Sequence, residues 1–280
     1  MEGQKIIGWQ YYKHAIIPTT APHEKPDLTP VMSGAIWKEN KPLLVRWTSE
    51  WDCGYDTGWW YVIREGPFNL SELSASSRRN IRKALRNCRV EKIDPELYID
   101  DLWRVFNEAI IRYRNYEMPF DKDVFVRDWI CSGKDFWAGY DNTGQMIGFA
   151  VFEVHEKWVD YQVAKYSVQY LKLRVGDAIN ATVLDYYLNK RGKKYVSDGE
   201  RSILHKTNVQ KYLMEHFDYR KAYCRLHVLF RKRLQVLIKL LFPIRKLLRC
   251  LDGIQRVHKI NSLLIMEEIV RLDMGSMDET

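Results

Sequence analysis

The segment LKLRVGDAI (171–179) follows three runs, FWAGYDN (136–142), MIGFAVFEVHE (146–156) and WVDYQVAKYS (158–167), and leads into NATVLDYYLNKRG (180–192). The three upstream runs read as successive strands, and GDAINATVLDYYLNKRG (176–192) as a helix that the segment opens. A strand that feeds a glycine-bearing loop at the start of a helix can hold an anionic group. The first N–H groups of a helix have no partner inside it and sit at the positive end of its dipole. Downstream come a short strand KKYVSD (193–198), a second helix TNVQKYLMEHF (207–217) and a closing strand YRKAYCRLHVLF (219–230). Taken alone, Gly176 also reads as a turn glycine and Arg174 as a solvated charge. The order of elements on either side gives the loop its weight.

The chain has 280 residues, 46% hydrophobic and 29% charged, the balance of a soluble globular protein with room for one large domain or two small ones. Its five cysteines, at 53, 88, 131, 224 and 250, show no close pairing. That argues against a disulfide framework and a cysteine-rich zinc site and favours a reducing compartment. No signal-peptide core opens the sequence and no run reaches the roughly 18 apolar residues of a membrane span, so a cytoplasmic protein is expected. The net charge of +8 and pI near 9.1 imply acidic partners: nucleotides, nucleic acid or an anionic membrane surface. Much of the excess lies in SSRRNIRKALRNCRVEK (76–92) and after residue 230.

Residues 1–70 read as β-rich, with IIGWQYYKHAII, SGAIWKE, PLLVRWT and WWYVIRE as strands separated by Pro, Gly, Asp and Asn turns. Ser76 or Ser77 can cap a helix running to about Asn87, with Ile81, Ala84, Leu85 and Cys88 on one face. Its Arg78, Arg79, Arg82, Lys83 and Arg86 form either a solvated surface or a phosphate-facing edge. After a strand RVEKI, Pro95 starts a helix to about Tyr116, with Leu97, Leu102, Val105, Phe106, Ala109 and Ile110 at helical spacing. A second helix is expected from Asp121, its cap, to Ile130, with Gly133 as its stop. In RKRLQVLIKLLFPIRKLLRCLD (231–252), basic and apolar residues segregate around a helical wheel that Pro243 would kink. Residues 231–251 therefore suit either an anionic membrane surface or the protein's own core.

From Val90 to Phe230 the order is strand, helix, helix, three strands, helix, strand, helix, strand. This order resembles the GNAT acyltransferase fold, an α+β fold with a mixed, mostly antiparallel sheet. WWYVIREGPFNLSELSASSRRNIRKALRN (59–87) and DGERSILHKTNVQKYLMEHFDYRKAYCRL (198–226) are similar to bacterial GNAT-like proteins related to the Fem-type peptidyltransferases. The implied organisation is a β-rich extension or truncated first GNAT-like unit over 1–92, a GNAT-like catalytic domain over 93–230 and a helical tail over 231–280. In that superfamily the loop before the third helix holds acyl-CoA, here Leu173, Arg174, Val175, Gly176, Asp177 and Ala178. Gly176 and Ala178 fit the family pattern, whereas its leading Gln or Arg is replaced by Leu173, with Arg174 one place late.

Acyl transfer needs an unprotonated nucleophile, N–H donors for the oxyanion and a proton for the leaving group. The resemblance places the oxyanion donors in 163–167. It places the acid on the fourth helix at Met214, with Tyr212 two residues away. Asp198, Glu200 and His205 follow the fifth strand, where a base is needed. His205 is the expected base or substrate contact, because an imidazole accepts a proton near neutrality, and Glu200 would orient or replace it. Tyr166 and Asn208 are the candidate acceptor contacts, and Asn208 also suits a helix start. His155, His216, His227 and His258 share no metal-like spacing, so no metal is expected.

Three functions follow. The first is transfer from acetyl-CoA or another acyl-CoA to an amine or hydroxyl, on a small molecule, a sugar or a lipid-linked cell-envelope precursor. The second uses aminoacyl-tRNA as donor, with the basic helix at 77–87 on RNA phosphates. The third is a non-enzymatic nucleic-acid binder, resting on charge alone.

Overall fold

The computed structural model describes residues 6–12, 14–38, 41–113, 121–203 and 208–275. In chain order its strands and helices begin with β1 (Trp9–Tyr12), β2 (Ala15–Pro18), α1 (Thr29–Met32), β3 (Leu44–Ser49), β4 (Trp59–Glu65) and α2 (Ala75–Asn87). Next come β5 (Arg89–Ile93), α3 (Ile99–Tyr113), α4 (Lys122–Asp128), β6 (Asp135–Tyr140), β7 (Met146–Val154) and β8 (Trp158–Tyr166). The chain closes with α5 (Val175–Leu184), β9 (Tyr195–Glu200), α6 (Val209–Phe217), β10 (Arg220–Phe230), α7 (Lys232–Leu241), α8 (Arg245–Cys250) and α9 (Gln255–Gly275). From β5 to β10 this is the order expected from sequence. The chain divides into two compact units, one of Val62–Gly199 with Asn208–Arg220, the other of Met1–Tyr61, Glu200–Thr207 and Lys221–Thr280.

In the first of these, β5, β6, β7 and β8 pair antiparallel in succession, and β8 pairs parallel with β9. α3 packs on this sheet because Leu102, Val105, Phe106 and Ala109 recur on one face, and all four are buried. Phe106 meets Trp103, Phe125 and Trp129 at ring separations of 5.7, 5.1 and 5.3 Å, which ties α3 to α4. Two glycines set the opposite side of the sheet. Gly139 and Gly148 face each other across β6 and β7, and a Cβ on either would collide with Val175 at the start of α5 or with Tyr166. Bare backbone here lets the first turn of α5 settle directly on the strands.

In the other unit, β1 and β2 form a hairpin, β2 runs parallel to β3, and β3 pairs antiparallel with β10. Trp59, Cys224, Leu226 and Phe230 pack with Ile238 of α7 and Leu264, Met266 and Ile269 of α9. Part of the expected tail is therefore core of this unit.

Several local readings change. SGAIWKE is not a strand. Gly34 takes a positive φ of 73° and Ala35–Trp37 form a 3-10 turn that buries Ile36, a contact that residue alternation cannot distinguish from a short strand. The cap of α2 is Ser74, whose Oγ accepts the Ser77 N–H at 3.2 Å. Leu97 belongs to a 3-10 turn ahead of α3 and is exposed. The segment before α5 is not an open loop, because Val168–Leu173 form a 3-10 helix. Asp121 caps α4 as expected, and Gly133 follows with φ 70°. Pro243 lies in a 3-10 turn that separates α7 from α8. All five cysteines are free.

Candidate active site

β8 and β9 pair only over Trp158–Asp160 against Tyr195–Ser197, and their ladder ends there. Just at this point β8 carries a bulge, since Phe152 opposes Tyr161 and Val151 opposes Val163, leaving Gln162 extra. A bulge adds local twist and re-aims side chains. Beyond it, among the described residues, the β8–β9 ladder does not continue, so strand N–H groups on that edge are candidates for a ligand. Ser167 is not among them, because its N–H is held by the Ile147 carbonyl at 2.9 Å.

Around the fork stand Tyr161 and Tyr166 of β8, with hydroxyls 3.1 Å apart, and Asp198 of β9. Asp198 keeps a small exposed surface yet is enclosed by protein. Burial pushes its carboxyl up to about 7, and a hydrogen bond from Gln210 pulls the other way. Burial, and after it the charge of Asp198, raises the Tyr219 phenol; burial, Tyr166 and then Asp198 raise Tyr161. One carboxyl titrating near neutrality among phenols that stay protonated is an acid–base arrangement.

The start of α5 forms the other wall. Arg174 adopts the left-handed conformation (φ 63°) that ends the 3-10 helix and begins α5. Its carbonyl accepts the Asp177 and Ala178 N–H groups at 2.9 and 3.2 Å. The buried Asp177 carboxylate takes a 2.9 Å bond from Arg174 Nη1 and another from the Tyr212 hydroxyl of α6. A Cβ on Gly176 would lie 3.1–3.2 Å from the Tyr166 ring. The first turn thus holds an anion of its own, and its glycine is covered. This is poor footing for a nucleotide diphosphate, which needs an open N-terminus free of a competing anion.

Burial, followed by the charge and hydrogen bond of Asp177, holds the Tyr212 phenol far above its ordinary value. With its one O–H given to Asp177, Tyr212 offers a substrate only oxygen lone pairs. It can position an N–H or O–H but is a poor acid. A cleft of about 240 Å³ beside it is lined by Asn208, Lys211, Tyr212, Glu215 and His216. Asn208 is the N-cap of α6 and makes no capping bond with its side chain.

Asp198, Tyr166 and the Arg174–Ala178 turn share one unit with Asn208. Glu200 belongs to the other, where Arg46 Nη2 donates to its Oε1 at 2.9 Å and Nη1 to its Oε2. His205 lies outside the described residues. β9 runs through Asp198 to Glu200, so Glu200 stands within the strand and not beyond it. The Arg46–Glu200 pair is largely shielded from solvent, so Glu200→Ala is expected to cost about 2–3 kcal/mol by stranding the guanidinium, with little effect on turnover of the folded protein. Urea unfolding beside a rate assay checks this; a collapse of turnover at unchanged stability would return Glu200 to the chemistry.

Sequence reading set Tyr212 aside as two residues from the family position, and missed its link to Asp177. The Tyr212 hydroxyl reaches α5 from a helix start that also orients Gln210 toward Asp198. A buried acid in the first turn of a helix was the available signal. A larger open cleft, about 560 Å³, is lined by Trp47, His227 and Arg271 among others, and contains none of the fork residues.

α2 packs against α5 and the 3-10 helix before it, and reaches α6. Cys88 Sγ lies 3.6 Å from the Leu173 carbonyl, and Ser77 Oγ lies 3.2 Å from His216 Nδ1. With Ser77, Ile81 and Ala84 buried, Arg79, Arg82, Lys83 and Arg86 are left on the exposed side.

Comparison with solved structures returns FemX at 11% identity and a TM-score of 0.59, over 81% of this chain and 82% of that one. The fold is GNAT-like and similar to that of FemX. L-PGS from Bacillus licheniformis aligns at 13% identity and TM-score 0.51 over 83% of each chain. The C-terminal domain assigned to a lysylphosphatidylglycerol synthetase from Agrobacterium fabrum aligns at 12% and 0.50 over 84% of each. No family model matches the chain, and no match is found among curated proteins. At these identities the likeness is one of GNAT-like fold, and the site must argue the chemistry.

Proposed function

We propose that this chain is an acyltransferase that moves an acyl or aminoacyl group from an activated, polyanionic carrier to an amine or hydroxyl. The carrying observation is the Asp198 carboxyl, titrating near 7 where β8 and β9 part. Asp198 takes the proton from the acceptor nitrogen or oxygen as that atom bonds to the carbonyl carbon. The bond from that carbon to the carrier's oxygen or sulfur then breaks, and Asp198 returns the proton to the leaving atom. A group with pKa near 7 can serve both steps. Tyr212 orients the acceptor through its lone pairs, and the β8 edge beyond the fork offers N–H groups to the oxyanion.

The carrier reading rests on two features of the same unit. The α5 turn holds Asp177 and is covered by Tyr166, which disfavours CoA there, and α2, which packs on α5, presents an exposed row of cations. Aminoacyl-tRNA fits that stripe, in keeping with the Fem-related fold. A lipid-linked acceptor agrees with the lysylphosphatidylglycerol in the name of one aligned protein, and a cell-envelope precursor is the wider class. Equilibrium binding of a charged tRNA pool and of acetyl-CoA, each across a salt series, tests the carrier. The expected result is salt-steep tRNA binding and no saturable acetyl-CoA binding. Saturable acetyl-CoA binding without tRNA binding would restore acyl-CoA as donor.

A further inference from the structure

α7 and α8 carry apolar residues on two sides, where a helix on a protein surface needs one. Ile238 is buried, and Leu234, Leu241 and Leu248 pack on the core of their own unit. That packing leaves Val236, Leu237, Leu240, Ile244, Leu247 and Leu251 exposed, with Leu240 71% and Leu247 65% accessible. From Leu237 on they recur at spacings of three and four residues, along α7, the 3-10 turn at Phe242–Ile244 and α8. Isolated exposed leucines are ordinary, but a contiguous aliphatic stripe marks a surface that meets another phase or partner.

The charges beside it narrow the occupant. Lys232, Lys239 and Lys246 recur every seven residues, which puts them along one flank of the stripe. All three are exposed and carry no ion pair among the described residues. Arg245 and Arg249, by contrast, are turned inward to Glu268 of α9. Aliphatic side chains with a lysine row beside them match the boundary of an anionic bilayer, where the chains enter the acyl region and the ammonium groups stay among headgroup phosphates. A nucleic acid would match the lysines and leave six aliphatic residues in water. Among the described residues no helix is long and apolar enough to cross a membrane, so contact here would be in the plane of the interface.

We infer that α7 and α8 form a docking surface for an anionic lipid bilayer, entered by the Val236–Leu251 stripe and held by Lys232, Lys239 and Lys246. This stands independently of the acyl-transfer reading, since it uses no residue of the fork.

The test is co-sedimentation of the full chain with vesicles of phosphatidylcholine alone and of phosphatidylcholine with phosphatidylglycerol. Wild-type protein is expected to pellet with the anionic vesicles and to be released by salt. Changing Lys232, Lys239 and Lys246 together to Gln should weaken binding roughly a hundredfold. Leu240→Glu with Leu247→Glu should abolish it, and because both side chains already face solvent, the thermal melt should be unchanged. Wild-type protein that stays in solution with anionic vesicles overturns the inference, as does binding that survives the double glutamate variant. A dimer in sedimentation velocity that the double variant abolishes, without vesicle binding, assigns the stripe to a second copy and also overturns it.

Discussion

Asp198→Asn is expected to lower acyl transfer by at least about a hundredfold while making the protein more stable near pH 8 than wild type. Both effects come from one carboxyl. Its proton is held more tightly in the folded chain, at about 7, than at the ordinary value of 3.8. The stabilisation from binding that proton is complete below about pH 4 and is lost as pH rises through about 7. Above that the native state carries a poorly solvated carboxylate, a penalty of at most about 4 kcal/mol at roughly 1.36 kcal/mol per pH unit. The amide cannot ionise. Melts at about pH 8 should therefore favour the variant and melts near pH 4 should not, while the wild-type rate falls on the acid side of about pH 7 as the base is protonated. A variant equally stabilised at both pH values would mean that the carboxylate is not the source of the strain.

Replacing Arg79, Arg82, Lys83 and Arg86 together with Gln should cut charged-tRNA affinity by about a hundredfold or more at low salt. Each phosphate contact releases condensed counterions, so removing four should flatten the log–log salt slope by about 3–4. The fold should tolerate the change, because Gln is a good helix former and the four side chains face solvent. Arg79 and Lys83, like Arg82 and Arg86, stand four apart with like charge, so neutralising them relieves a weak repulsion. Turnover on a small activated acyl ester should persist, since these residues touch no group of the fork. An unchanged salt slope would remove α2 from the carrier site.

The course of the chain from β5 to β10 was legible because each element has its own pattern: α3 repeats its apolar residues at helical spacing, and Asp121 caps α4 directly. The first turn of α5 was legible as a place and not as a chemistry. Gly176 marks it, but whether that glycine faces a ligand or a ring depends on Tyr166, ten residues upstream on a strand whose bulge no local pattern announces. Asp198 was legible as a polar residue at the end of a strand. The pairing of Glu200 was not, because the Arg46 that claims it lies 154 residues away. The Tyr212–Asp177 link joins two helices, and residue spacing within either one cannot reveal it. The C-terminal helices defeated a two-sided wheel, since they bury one apolar side and expose another.

The central claim is that a carboxyl at the β8–β9 fork is poised to carry a proton near neutrality. Carbon-13 labelling of aspartate, with the Asp198 signal assigned through its absence in Asp198→Asn, allows the carboxyl shift to be followed across pH in the folded protein. A midpoint near 7 is the predicted result. A midpoint near 4, the ordinary aspartate range, would contradict the account.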